Sequence, residues 1–504
     1  MFRRLGAITV AAACGWAIPG PVWSATAWDR IAGAHGDAAL QNGKVVPLSG
    51  VLVAGRNPSP GGVSGPAANA SSSQFAGSGV VLVDRSAFGP RPANEPAIAV
   101  DPSDGNHLIA SANDYRFGDS QGGRYSALAG PASFDDVNGV LQFISSSPYY
   151  YNASGDPAGG IDRFGIDYFA VLAFDRTVPA ARSGVLVARS LPAELGKLVD
   201  VAVPVDQQPA TSAFFDDKDS LGVDNVASSS FRGSVYSFFT QFAPKSSPIL
   251  GSYSRNQGVS FAKPTLVSKP ASRALCPSDK GACADDQGSS PGVGPHGYVY
   301  VAYENFDTLS NVNQIFISES KDGGATFSPP RKVSDSDDIT NPYKTFRVNS
   351  FPNLAVNRVT GQLYVTWSDQ RSGSPVVYVT TSTRDIGGPW SKPVSVNGVR
   401  FGSFQFFPAI TVQPSTGDLY VSYYDNLKYP QSNVYDYDYR RFSATLIPEI
   451  ASTRVSRSPI VASLDFTGGF IGDYTSAAAR GSGAQLIWTG TSTGRQDIES
   501  AFVP

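Results

Sequence analysis

The chain has 504 residues, too many for one small domain yet within reach of a single large all-β or barrel-like unit. Gly (51) and Pro (37) are abundant and only 16% of residues are charged, against a usual ~25%, so many turns and a weakly charged surface are expected. A net charge of -3 lacks the basic footprint of a nucleic-acid binder or a polybasic membrane-surface protein.

The chain opens with MFRRLGAITVAAACGWAIPGPVWSATAWDR. Arg3 and Arg4 form a positive start, an apolar run follows from Leu5 to Ile18, and Ala25-Thr26-Ala27 forms a small-residue cleavage site. This reads as a signal peptide over 1–27 and a secreted or periplasmic mature protein, with lipoprotein anchoring at Cys14 as the alternative. Pro19 and Pro21 interrupt the run too early for a membrane anchor of about 20 residues, and no membrane insertion is expected later in the chain. Beyond the leader only Cys276 and Cys283 remain, in CPSDKGAC, a pair suited to one local disulfide and too few for a zinc site. Residues 28–77 are rich in Gly, Pro, Ser and Ala, which predicts a flexible leader before a folded unit over 78–504.

From Val80 onward one unit recurs: a short apolar strand, a tight turn, then a second strand ending in an aromatic and a carboxylate. Copies begin near residues 95, 156, 219, 290, 351, 407 and 471. Their spacing of about 60 residues suits four antiparallel strands, and the side chains alternate with period two, as in Leu363, Val365 and Trp367 against Tyr364, Thr366 and Ser368. Four-stranded sheets repeated radially make an all-β propeller. Seven blades are expected, with six the alternative. The last copy supplies only three strands, and GVVLVDR at 79–85 is the segment left over to complete it.

In a propeller the ends of second strands and the beginnings of first strands meet on one face. Asp114, Asp175, Glu304, Asp369 and Asp425 fall at second-strand ends, and Glu95, Asp156, Asp219 and Asp473 near first-strand starts. With Arg91, Arg116, Arg347, Arg371, Tyr424 and Tyr474 beside them, these carboxylates suit a carbohydrate site, where acids transfer protons and aromatics contact sugar faces. Three histidines are too few for Ser/His/Asp catalysis or for zinc, and His107 and His296 fall in turns on the opposite face. No cofactor is expected. Asp335, Asp337 and Asp338, and the run of Asp216, Asp217 and Asp219, offer hard oxygen ligands that make structural calcium possible, but neither matches an EF-hand loop and solvated acidic turns are the expected reading.

Residues 320–327 read SKDGGATF, with degenerate copies SRNQGVSF at 254–261 and TRDIGGPW at 383–390, each between the third and fourth strands of its blade. This motif resembles the Asp box of the sialidase-like, BNR-repeat propellers. The resemblance implies a turn on the face opposite the active site, so Asp322 and Asp385 serve the fold. Active sialidases of that family hold a carboxylate with three Arg, use an Asp as acid/base and a Tyr activated by Glu as nucleophile. Carried over, this makes Asp114, Glu304, Tyr474, Asp473 and Asp369 the catalytic candidates, with Glu304 as partner of Tyr474. Arg116, Arg347, Arg371, Asp425 and Tyr424 become the substrate-binding candidates. The nearest match to the family's F/Y-R-I-P motif is GPRPANEP, containing Arg91, and a seven-bladed count departs from the family's six. DKDSLGVD (217–224), WSDQR (367–371) and FIGDY (470–474) are similar to segments of secreted bacterial sialidase-like proteins. The expectation is a monomeric exo-acting glycoside hydrolase on a carbohydrate or glycoconjugate. The alternative is a non-catalytic glycan- or protein-binding propeller at the cell envelope.

Overall fold

The computed structural model describes residues 38–41, 44–47, 80–84, 92–115, 121–128, 134–136, 151, 153–174, 182–195, 202–209, 212–243, 246–272, 275–276, 285–306, 313–383, 385–430, 432–466 and 469–504. The signal peptide expected over 1–27 lies outside them, as does most of the leader, within which 38–41 and 44–47 pair as a small antiparallel hairpin.

Seven antiparallel sheets follow one another along the chain, the first six pairing their four main strands in sequence order. Their first strands are Ala93–Val100, Ala153–Ile161, Phe215–Val223, Asp286–Val293, Asn353–Val356, Gln405–Val412 and Ser476–Arg480, which define blades one to seven. Blade seven is closed by the N-terminal strand Val80–Leu82, whose residues face Ala501, Ser500 and Glu499 of the last strand. The leftover segment thus ties the two ends of the ring together, as its sequence position predicts.

Period-two alternation is what holds the blades to one another. In blade four, Val299, Val301 and Tyr303 pack against Tyr236 and Phe238 of blade three, while the intervening Tyr300 and Ala302 pack against Leu354, Val365 and Trp367 of blade five. Each sheet buries both faces, so the core is a series of inter-blade layers.

The turn at 320–327 forms as its residues dictate. Asp322 Oδ1 accepts from Ser320 Oγ (2.8 Å) and Thr326 N (2.9 Å), and Gly324 N donates to Ser320 Oγ (2.7 Å). Phe327 packs edge-on against Phe238, with centroids 5.9 Å apart. The turn at 254–261 repeats the pattern with Asn256 in the Asp position, where Gly258 N donates to Ser254 Oγ at 2.9 Å and Ser260 N to Asn256 Oδ1 at 3.1 Å. Both turns follow third strands and so lie at the end of the ring opposite the starts of the first strands.

The run at 216–219 corrects an expectation. Asp216, Asp217 and Asp219 lie inside the first strand of blade three and are buried, not in a solvated turn. The apolar residues flanking them, Phe215 and Leu221, enlist the whole segment into the sheet. Among the described residues no group of three or more His, Cys, Asp or Glu is placed to hold a metal ion.

Candidate functional site

The site is built by a repeated backbone defect. In blades one, two, three, four and six the pairing of first and second strands slips by one residue near the start of the first strand, a β-bulge. The first residue of each bulge sits in the left-handed region: Glu95 (φ 56°), Asp156 (51°), Lys218 (51°), Gly288 (68°) and Phe407 (48°). Four of these five carry a side chain, at a conformation that costs about 1–2 kcal/mol for any residue but glycine. The pairing of blade seven shows no slip, and Gly472 (φ 93°), just before Asp473, approaches blade one so closely that a Cβ would lie 3.0 Å from Glu95 Cγ and from Glu95 N. Blade five has Phe351-Pro352 ahead of its first strand at the same level.

These positions ring the end of the central channel, and they divide it in two. Blades seven, one, two and three contribute Asp473, Tyr474, Glu95, Asp156, Lys218 and Asp219, while blades four, five and six contribute Gly288, Phe351 and Phe407. A cavity of about 250 Å³ opens here, lined by Lys218, Asp219, Asp473 and Tyr474 on one side and by Phe351, Pro352, Phe407 and Pro408 on the other.

The charged half is tightly coupled. Arg347, on the connection into blade five, grips Asp473 with two hydrogen bonds (Nε to Oδ1, 2.8 Å, and Nη2 to Oδ2), and its Nη2 lies 3.9 Å from Glu95 Oε1. Asn113 orients two further groups: its Nδ2 donates to Glu95 Oε2, and its Oδ1 accepts from Asp156 N at 3.0 Å. Lys218 lies over the ring of Tyr474, 3.5 Å from its centroid, and Lys218 N donates to Asp156 Oδ2 at 3.2 Å.

Burial holds the Glu95 carboxyl well above the usual carboxylate range, Asp156 and Asp473 push it further, and Arg347 opposes them. Burial and Asp156 raise Asp219 in the same way against the pull of Lys218. The Tyr474 phenol is raised by burial and then by Asp156, Glu95, Asp219 and Asp473, so it stays protonated, and its hydroxyl has no hydrogen-bond partner among the described residues. Chemically, the site raises two carboxyls beside a phenol whose hydroxyl has no hydrogen-bond partner among the described residues, the direction that favours proton donation by a carboxyl.

The structure brings Asp473, Tyr474 and Arg347 together from the sequence-based set. The carboxylates that bear most on Tyr474 are Asp156, Glu95, Asp219 and Asp473, whereas Glu304 is fully buried in blade four. Asp369 accepts from Trp367 Nε1 (2.9 Å), Arg371 N (2.8 Å) and Arg371 Nε (2.8 Å), so WSDQR folds into a clip at the edge of blade five. Asp425 accepts from Asn397 Nδ2 (3.0 Å), Gln405 Nε2 (3.1 Å) and Leu427 N (2.7 Å), closing a turn. Tyr424 is core: its ring stacks on Phe406 at 4.8 Å and its hydroxyl donates to Thr489 O at 2.8 Å. Asp114 is buried at the junction of blades seven and one and accepts from the Tyr125 hydroxyl at 3.0 Å. Arg91, Arg116, Asp175 and Cys283 lie outside the described residues, and Cys276 is buried. His107 is buried between Asp101 (3.1 Å) and Asp167 (2.8 Å), and His296 is exposed in the turn Pro295–Gly297.

Lys218, Phe351 and Phe407 were not singled out as site residues by sequence reasoning. The signal was present: Glu95-Pro96-Ala97, Asp156-Pro157-Ala158, Phe351-Pro352-Asn353 and Phe407-Pro408-Ala409 align, and the variable residue before proline is the one the bulge displays.

No family model matches the chain, and no curated protein matches it. Solved structures do. A Hadza microbial sialidase is 11% identical over 82% of this chain and 66% of that one, with a TM-score of 0.42. An α-L-arabinofuranosidase from Fusarium graminearum is 10% identical over 69% and 92%, with a TM-score of 0.41. An ulvan lyase of polysaccharide lyase family PL25 is 11% identical over 84% and 96%, with a TM-score of 0.46. This chain spans just under two thirds of the length of the Hadza protein. Likenesses this remote carry no argument about chemistry, which rests on the site.

Proposed function

We propose that the protein is an exported, exo-acting glycoside hydrolase whose site is the bulge-lined mouth of the channel. The observation that carries this reading is the fully buried Glu95 carboxyl, raised well above its ordinary range and acting electrostatically on the phenol of Tyr474, which lines a cavity whose opposite wall is Phe351 and Phe407. Glu95 is the proton donor, Tyr474 faces the sugar, and the aromatic wall covers an apolar sugar face. A cavity of about 250 Å³ admits one sugar unit, which favours release from a chain end.

The occupancy of Arg347 by Asp473 favours a neutral sugar over a sialic acid, because the guanidinium that would hold a ligand carboxylate already holds one. The experiment is a screen of the full chain against neutral, uronyl and sialyl aryl-glycosides, repeated with Glu95→Gln and Tyr474→Phe. The expected outcome is release from a neutral glycoside that falls at least about 100-fold in Glu95→Gln. Turnover unaffected by both substitutions overturns the assignment. Saturable glycan binding without any release favours a binding propeller instead.

A further inference from the structure

The channel has a second mouth, at the far ends of the first strands, and its chemistry differs from the first. A cavity of about 640 Å³ opens there among the turns that follow those strands, with Asp101, Arg358, Gln413 and Arg480 among its lining. Apolar side chains such as Val100, Val223 and Val412 make up the wall between them.

The charges in this cavity do not balance. The one carboxylate of that group is already engaged: Asp101 Oδ1 accepts from Ser103 N (2.7 Å) and Ser103 Oγ (2.6 Å), and Oδ2 faces His107 Nδ1 at 3.1 Å. Arg480 donates through Nε to Gly105 O at 2.5 Å and through Nη2 to Asn106 Oδ1 at 3.4 Å, neutral acceptors both, and the one carboxylate acting on it, Asp104, lies outside the cavity lining. Arg358 is half-buried, and among the described residues no carboxylate pairs with it. A guanidinium withdrawn from water without a counter-charge is costly unless a ligand supplies the charge. A planar guanidinium fork recognises carboxylate, sulfate and phosphate oxygens in pairs.

We propose that this rear mouth is an anion-binding site, built on Arg358 with Arg480 elsewhere on the same lining, that takes the oxyanion group of a small ligand. The apolar wall leaves room for an organic body behind that group, so a free inorganic anion and a saccharide bearing a carboxylate or sulfate are the two sources to separate. The two cavities share Ile98, Gly159, Leu221 and Pro291 along the channel wall, but neither arginine lines the other mouth, so the anion site does not rest on the hydrolase reading.

The test is isothermal titration calorimetry of the full chain at fixed ionic strength, with inorganic sulfate, glucuronate and, as the uncharged control, methyl glucoside. Saturable binding of sulfate or glucuronate is expected, weakened at least about tenfold by Arg358→Gln, weakened less by Arg480→Gln, and unchanged by Tyr474→Phe at the opposite mouth. Sulfate binding as tightly as glucuronate identifies the inorganic source, and glucuronate binding alone identifies the saccharide. Arg358→Lys, which keeps the charge without the fork, gives an intermediate affinity. No saturable binding of either anion, or equal affinity in Arg358→Gln and the wild type, overturns the proposal.

Discussion

Replacing Arg347 with Ala tests whether the charged half of the site is held together by one guanidinium. Arg347 is 16% exposed and Asp473 1% exposed, and the two are joined by two hydrogen bonds. Breaking a fully buried pair by removing one partner costs about 3–5 kcal/mol, because the remaining charge is stranded. Partial exposure of Arg347 lets water reach the gap, so about 3 kcal/mol is expected at pH 8. The cost depends on pH through Glu95, whose carboxyl burial raises and Arg347 lowers. Its folded-state pKa lies above its unfolded value, so its contribution is fully present below the unfolded value and is lost as pH rises through the folded one. Without Arg347 that window widens upward, and the gap between variant and wild type grows with pH. Urea denaturation followed by tryptophan fluorescence at pH 5 and pH 8 measures it. A cost under about 1 kcal/mol at pH 8, or one that does not shrink at pH 5, refutes the reasoning. Adding Asp473→Asn to the variant removes the stranded charge and should restore about half of the loss.

Asp322→Ala removes the acceptor for Ser320 Oγ, Thr326 N and Thr326 Oγ1 (2.6 Å), and should lower stability by about 1 kcal/mol while leaving glycoside release unchanged. A loss of turnover with unchanged stability would contradict a purely structural turn. Val83→Ala, at a fully buried residue just after the closing strand, should cost about 2 kcal/mol in urea denaturation; a cost below about 0.5 kcal/mol means the ring does not depend on its N-terminal strand. Glu95→Gly should be more stable than Glu95→Ala by about 1 kcal/mol, the reverse of the usual order in a strand, because only the alanine keeps a Cβ at φ 56°. Thermal denaturation of the two variants decides it, and an alanine variant at least as stable removes the strain from the account.

The blades were legible in the sequence because each strand declares two cores at once. Leu363, Val365 and Trp367 face blade four, and Tyr364 faces blade six, as their alternation requires. Ring closure was legible too, since Val80–Leu82 was the one strand without a partner in its own repeat. The site was less so. Asp369 and Asp425 stand at second-strand ends, where site residues were expected, yet Trp367, Arg371, Asn397 and Gln405 occupy their oxygens. Strand position fixes which end of the ring a carboxylate reaches, but its neighbours decide whether it faces the channel. Asp216 and Asp219 were hidden for a related reason: an acidic run normally signals solvent, and here it is carried inside by a bulged strand between Phe215 and Leu221.

The bulge explains why one fold position can carry so many kinds of chemistry. A regular strand would send successive side chains alternately into the two inter-blade cores, and none toward the axis. An extra residue in the left-handed region breaks that alternation and aims one side chain per blade at the channel. The same backbone conformation recurs in five blades with Glu, Asp, Lys, Gly and Phe, so the identity of the residue varies while the bulge does not. Blades one to three place Glu95, Asp156 and Lys218 there and blade six places Phe407, so acids and a cation gather on one side with an aromatic wall opposite. That asymmetry gives the proposed site one polar and one apolar wall. Glycine would relieve the strain at each left-handed position, as Gly288 does in blade four. Keeping side chains at these positions costs backbone strain, and on the proposed reading a molecule with one polar and one apolar face is what would give that strain a role.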